Sequence, residues 1–190
     1  GLSRTGLDRK LLNMAVRPAG TRPANVLLAV MLTSAVASMF ISNTSTTVLM
    51  IGAAIPLVRQ VGRNEPFGKA LLVGIPMAAS VGGMGTIIGS APNAIAAGVA
   101  AAHGREINFI EWMLVGAPVA IGLVVLSWFV LLKLYPAAME EFKLDLGNME
   151  EPELPGGRER AIVAFISLLT VAMWMTTPIH GIHVAAISLI

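Results

Sequence analysis

Ser38 and the run Ser42-Asn43-Thr44-Ser45-Thr46-Thr47 place hydroxyls and one carboxamide in the middle of an apolar stretch, residues 23–58, that holds no Asp, Glu, Lys, Arg or His. A second oxygen-bearing segment, Gly82-Gly83-Met84-Gly85-Thr86-Ile87-Ile88-Gly89-Ser90-Ala91-Pro92-Asn93, lies in another uncharged run, residues 70–102. Neutral hydroxyl, amide and carbonyl oxygens suit a hard cation such as Na⁺, and helix N-termini freed at a break face anions. Proton relays inside membranes use Asp, Glu or His, and residues 23–58, 70–102 and 112–132 contain none. Sodium therefore fits better than protons. No cysteine is present, so thiolate metal sites and disulfides are excluded, and no nucleophile–base pair or metal cluster supports an enzyme.

The elements that must carry these groups are membrane helices. With 55% hydrophobic residues, 13% charged residues and a mean hydropathy of +0.76 over 190 residues, the chain is an integral membrane protein rather than a soluble domain. The net charge of +2 calls for no nucleic-acid partner. As one helix, residues 23–58 would measure about 54 Å, against a bilayer core of about 30 Å. The polar knot near the centre predicts a break, and hence a re-entrant hairpin over residues 23–58 with its turn at Ser42-Asn43-Thr44. Residues 69–102 read as a broken transmembrane helix. One arm ends near Val81, the glycines form an unwound segment, and a second arm starts near Pro92 with Ser90 as its cap.

The remaining chain divides by charge. Residues 1–22 carry Arg4, Arg9, Lys10, Arg17 and Arg22 among spaced apolar residues and suit a basic amphipathic segment on the cytoplasmic face. A polar connector joins Arg59 to Lys69. Residues 112–134 form a conventional span, residues 135–160 a charged cytoplasmic linker, and residues 161–190 the start of a second, incomplete unit. If residues 1–22, 59–69 and 133–160 are cytoplasmic, they hold twelve of the thirteen Lys and Arg residues, leaving Arg105 outside. The apolar run that ends at Ile190 predicts that the chain belongs to a larger multi-pass protein of the cell (inner) membrane.

Packing competes with binding as an explanation for small and polar residues. Gly85-Thr86-Ile87-Ile88-Gly89 is itself a GxxxG pattern of the kind that packs membrane helices. Trp112, Trp128 and Trp174 fit interfacial anchoring or packing, as do His103, His180 and His183 near span ends.

The two polar segments, in this order and spacing, resemble a known family. Ser38-Met39-Phe40-Ile41-Ser42-Asn43-Thr44-Ser45-Thr46 is similar to the first Ser-Asn-Thr signature of the divalent anion/sodium symporters. Gly82 through Asn93 is similar to that family's motif in its unwound fifth helix. The resemblance implies an all-α transmembrane fold built from two inverted repeats, each with a re-entrant helical hairpin and a broken transmembrane helix, assembled as a homodimer. It maps a sodium site onto Ser38, Ser42, Asn43 and the backbone of Gly89. It maps the substrate's oxygens onto Asn43, Thr44, Ser90 and Ala91, where Ala91 replaces the first proline of a Pro-Pro pair. A second Ser-Asn-Thr motif would lie beyond Ile190.

The resulting expectation is a secondary active transporter that takes up a divalent anion (a C4-dicarboxylate, citrate or sulfate) with Na⁺ by alternating access. No cofactor beyond the coupling ion is implied. The competing readings are an arsenite or sodium/proton carrier of the wider ion-transporter group, a dicarboxylate exchanger, and a channel-like or structural membrane subunit.

Overall fold

The computed structural model describes residues 19–62, 65–137 and 157–176. These residues form six α-helices and no strand: α1 (Pro23–Ser38), α2 (Asn43–Val61), α3 (Pro66–Gly82), α4 (Ala91–Ala102), α5 (Phe109–Leu134) and α6 (Gly157–Met175). A single 3-10 turn, Gly83–Gly85, follows α3. The all-helical class expected from composition is what the described residues adopt. Three helical stretches, α2, α3 with its 3-10 turn, and α5, are long and apolar enough to cross a bilayer, while α1 and α4 are shorter. The expectations for residues 1–18, 138–156 and 177–190, with His180 and His183, lie outside the described residues.

Local chemistry explains the boundaries. Pro23 and Pro66 stand in the first turns of α1 and α3, where a missing N–H costs nothing, after extended Arg22 and Glu65. Ser42 caps α2, its hydroxyl accepting from the amide of Ser45 at 3.3 Å. Gly62, at φ 90°, and Gly104, at φ 81°, take the left-handed backbone that ends α2 and α4.

Several boundaries differ from the sequence reading. The connector between Arg59 and Lys69 shrinks, because α2 continues through Arg59 to Val61 and α3 already starts at Pro66. A cation in the last turn of α2 is favourable beside the helix's negative end. Likewise α5 begins at Phe109 rather than Trp112, since Asn108 and Glu111 form a reciprocal capping box with bonds of 2.9 and 3.2 Å. The last helix starts at Gly157, inside the stretch read as linker to residue 160.

Helix α3 lies at the centre. Its Phe67, Ala70, Leu71, Ile75 and Ala78 pack with Val26, Leu27, Val30 and Met31 of α1, with Met50, Ala53, Ala54 and Leu57 of α2, and with Val124 and Leu131 of α5. Close approaches at its glycines fix the directions. A Cβ built on Gly74 would lie 3.1 Å from Met31 Sδ, and one on Gly82 would lie 2.4 Å from Ala35 Cα, so α1 runs parallel to α3. Val58 and Val61 flank Gly68 while Asn43 abuts Gly83, so α2 runs antiparallel. Leu131 lies at Gly74 and Gly116 lies at Met84, so α5 is antiparallel too.

It follows that α1 and α2 are antiparallel to each other, joined by the four residues Met39 to Ser42. The start of α1, the end of α2, the start of α3 and the end of α5 share one end of the bundle. Trp128 Nε1, donating to the carbonyl of Ala24 at 2.8 Å, ties α5 to α1 there. Arg22, Arg59, Lys69 and Lys133 all belong to this end. On the far side of the tip, Phe109 stacks on Trp174 with ring centroids 6.1 Å apart, joining α5 to α6.

Candidate functional site

The antiparallel pair and the break in the α3–α4 segment meet closely at the bare backbone of Gly83. A Cβ on Gly83 would lie 2.4 Å from Asn43 Oδ1, and a Cβ on Gly89 would lie 2.4 Å from the carbonyl oxygen of Gly83. Asn43 opens α2, and Gly89 stands two residues before the first residue of α4. The N-termini of two helices therefore converge on the same peptide unit. Both present positive dipole ends and free backbone N–H groups.

The residues singled out from sequence fall in three groups. Ser38, fully buried at the end of α1, donates its hydroxyl to Asn43 Oδ1 at 2.6 Å. Asn43 is half-buried and Gly89 buried, so Ser38, Asn43 and Gly89 are gathered around Gly83. Ser42 is exposed and is occupied as a cap, its hydroxyl donating to Ser45 Oγ at 2.8 Å. Thr44 and Ala91 are exposed and Ser90 half-buried, in the first turns or cap positions of α2 and α4. Among the described residues, the side chains of Thr44 and Ser90 make no hydrogen bond.

One expectation needs correction here. Ser90 occupies the N-cap position of α4 with extended backbone, but its side chain makes no capping bond. The turn is held instead by Asn93, whose amide donates to the Ser90 carbonyl at 3.2 Å and whose side chain reaches back into the break. Nor do Gly85 and Gly89 form a helix-packing stripe. They lie outside any α-helix, Gly85 against the Met39 side chain and Gly89 against Gly83.

The residues that hold the break were not singled out by sequence reasoning. Thr86, fully buried, donates its hydroxyl to the carbonyl of Met39 in the turn between α1 and α2 and accepts from the amide of Gly89 at 3.0 Å. The carboxamide of Asn93 donates to the carbonyls of Gly83 at 2.8 Å and Thr86 at 2.7 Å. From α5, Trp112 Nε1 donates to the carbonyl of Met84 at 3.0 Å, a polar duty beyond the anchoring expected of it. A backbone that leaves the helix loses the partners of its carbonyls, and Asn93 and Trp112 supply donors to three of them, those of Gly83, Met84 and Thr86. The available signal was a Thr and an Asn inside a Gly-rich apolar run.

The described residues contain no group of His, Asp, Glu or Cys able to hold a metal ion. The convergence point instead offers a hydroxyl, a carboxamide and backbone oxygens. Such a set suits an alkali cation beside an anion held by two helix N-termini.

Comparison with known proteins gives a family. The CitMHS profile, described as citrate transporter, matches residues 1–190. A sodium-dependent dicarboxylate transporter of Staphylococcus saprophyticus is 27% identical over 194 residues, covering 92% of this chain and 37% of that protein. The protein of the same description from Staphylococcus aureus strain NCTC 8325 is 28% identical over 194 residues, covering 92% of this chain and 36% of its own length. The chain thus spans little more than a third of the curated relatives it matches.

Proposed function

The chain belongs to the citrate transporter family, a family of transporters rather than enzymes, and on that premise we propose that it forms one half of the binding site of a sodium-coupled secondary carrier for a divalent carboxylate. The observation that carries the reading is the convergence of Asn43 and Gly89 on Gly83, which brings together two helix N-termini and a set of neutral oxygens. An anion with two carboxylates gains from both dipole ends, and Na⁺ gains from Ser38 Oγ, Asn43 Oδ1 and the Gly89 backbone. With no ionisable side chain in residues 23–58 or 70–102, the cation itself supplies the positive charge that the anion needs. Thr44 and Ser90, whose side chains stand at the starts of the two helices, are the substrate-facing hydroxyls, with Ala91 beside them. Ser42 contributes to the cation site once its hydroxyl turns from Ser45.

The α1–α2 pair is re-entrant in this reading. Two features support it: α1 has only 16 residues, and α5 continues for seven residues past the level of the tip, from Gly116 out to Phe109. At about 1.5 Å per residue that is about 10 Å of helix beyond the tip, which favours a turn inside the bilayer. The basic end carrying Arg22, Arg59, Lys69 and Lys133 then faces the cytoplasm. Alternating access, a homodimer and residence in the cell membrane follow from the family resemblance. The relatives' descriptions as dicarboxylate transporters and the family's as citrate transporter favour a carboxylate over sulfate.

The test is uptake of labelled succinate, citrate and sulfate into proteoliposomes holding the full-length protein that carries this sequence, with and without an inward sodium gradient. Sodium-driven uptake of a carboxylate is expected. Uptake that follows pH and ignores sodium would replace this reading with a proton-coupled or arsenite-type carrier.

A further inference from the structure

The polar side chains at the break do two different jobs. Ser38 and Asn43 bond to each other within the α1–α2 pair, whereas Thr86 and Asn93 bond to backbone and hold the break in place. Thr86 is the bridge. Its hydroxyl donates to the carbonyl of Met39, the residue directly after Ser38, and accepts from the amide of Gly89. One buried oxygen thus joins the hairpin half of the oxygen cluster to the glycine of the broken-helix half. Asn93 then fixes Thr86. Both hydrogens of its carboxamide are used, at 2.8 and 2.7 Å, on the carbonyls of Gly83 and Thr86, and the group is 7% exposed. Two carbonyl oxygens can be met only by the NH₂ end, so the orientation of the amide is determined.

We propose that Thr86 and Asn93 are positioning residues that lock the helix break to the hairpin turn, so that Ser38, Asn43 and Gly89 stand pre-assembled before any ion arrives, and that this lock sets cation affinity. The proposal rests on the sodium-coupled reading above and adds to it the cause of the site's affinity. Neither residue belongs to the oxygen set assigned above to the ion or the anion, since both are spent on backbone partners. If the lock is loosened, the hairpin half keeps its own bonds, namely Ser38 to Asn43 and the Ser42 cap of α2. What falls is the fraction of molecules in which the halves are aligned, and apparent affinity falls with that fraction. The maximal rate changes little, because saturating sodium pulls the population back.

Three variants separate positioning from mere packing. Thr86→Val keeps the shape and removes the hydroxyl, Thr86→Ser keeps the hydroxyl, and Asn93→Asp puts an oxygen where the NH₂ faced two carbonyls. In proteoliposomes with the full-length protein, Thr86→Val and Asn93→Asp are expected to raise the sodium concentration for half-maximal succinate uptake by about tenfold or more, as when the aligned fraction falls to about a tenth. Maximal uptake should stay within about twofold, and Thr86→Ser should follow the wild type. An unchanged sodium dependence in both variants, or a Thr86→Ser protein as impaired as Thr86→Val, would overturn the proposal.

A second readout needs no transport. Hydrogen exchange of the peptide spanning residues 83–90, measured without sodium or substrate, should be slow in the wild type and in Thr86→Ser and fast in Thr86→Val. Fast exchange in the wild type itself would overturn the lock even if no variant can be purified. If the wild type shows no sodium-driven uptake, the transport reading fails on its own, and exchange still decides whether the lock exists.

Discussion

Asn43 Oδ1 rests against the α-carbon of Gly83, at the position a methyl group there would need. A Cβ on Gly83 would lie 2.4 Å from that oxygen and 3.0 Å from both Cγ and Nδ2. Forty residues separate the two in sequence, and each sits at the break of its own helical segment. The same oxygen accepts the Ser38 hydroxyl at 2.6 Å, so the amide cannot withdraw without losing that bond. Gly83→Ala should therefore displace Asn43 rather than unfold the chain. The expected cost is about 1–3 kcal/mol of stability, as for other overpacked sites. Uptake by the full-length protein should fall by at least tenfold, measured beside thermal unfolding in detergent. Uptake at the wild-type rate would show that Asn43 need not hold its observed place.

Asn43→Ala and Thr44→Ala test the site more directly. Each should reduce uptake to background while the protein stays monodisperse, since Asn43 is proposed to meet both ion and anion and Thr44 makes no hydrogen bond that folding needs. Full activity in both variants would remove the first turn of α2 from the site.

Two glycines should respond with opposite sign to the same added methyl. A Cβ on Gly82 would lie 2.3 Å from the backbone oxygen of Ala35, and backbone cannot rotate away as a side chain can. Gly82→Ala is expected to cost about 3 kcal/mol, the upper part of the overpacking range. Gly98, inside α4, has nothing within 4 Å, and Gly98→Ala should add about 0.5–1 kcal/mol through helix propensity. Thermal unfolding of the two variants in the same detergent checks the ordering.

A buried threonine offers a second pair of opposites. Thr46, 1% exposed, has a hydroxyl without a hydrogen-bond partner, whereas Thr33 and Ser34 donate to the carbonyls four residues back at 2.8 Å. A buried hydroxyl left unpaired costs about 1–3 kcal/mol, so Thr46→Val should raise stability by about 1 kcal/mol. Thr86→Val, which breaks two bonds, should lower it. A fall in unfolding temperature for Thr46→Val would mean that its hydroxyl is bonded in the membrane.

The orientation of the bundle is open to labelling. In a cysteine-free background, Lys69→Cys at the start of α3 should react with an impermeant thiol reagent from the cytoplasmic side only. Arg105→Cys, in the loop between α4 and α5, should react from the opposite side only. The reverse pattern would invert the proposed topology, and reaction of both from one side would break it.

Much of the fold was legible in the chain because its determinants are local. A run of 36 uncharged residues with a polar knot at its centre cannot cross a bilayer once as a helix, and four glycines in eight residues cannot continue one comfortably. Those facts predicted where helices stop, and Ser42 and Pro92 mark restarts that any sequence shows. The capping box at Asn108 and Glu111 was equally local, yet it moved the start of α5 by three residues because the apolar pattern was read ahead of the cap.

The sequence by itself determined that this is a helical membrane chain, that its helices break beside Ser42 and at the glycines from Gly82, and that neutral oxygens rather than charges lie at both breaks, although the first turn falls at Met39 to Ser42 and leaves Asn43 and Thr44 inside α2. Only the tertiary structure decided that the breaks meet at Gly83, that Thr86 and Asn93 hold them, and that Ser90 leaves its cap role to others. The reason is physical. Propensity and periodicity act within a few residues, whereas the face that Gly83 turns toward Asn43 depends on how α2 and α3 are rotated against each other. That rotation is set by the packing of Leu57, Leu71 and Ile75, side chains remote from the site they align.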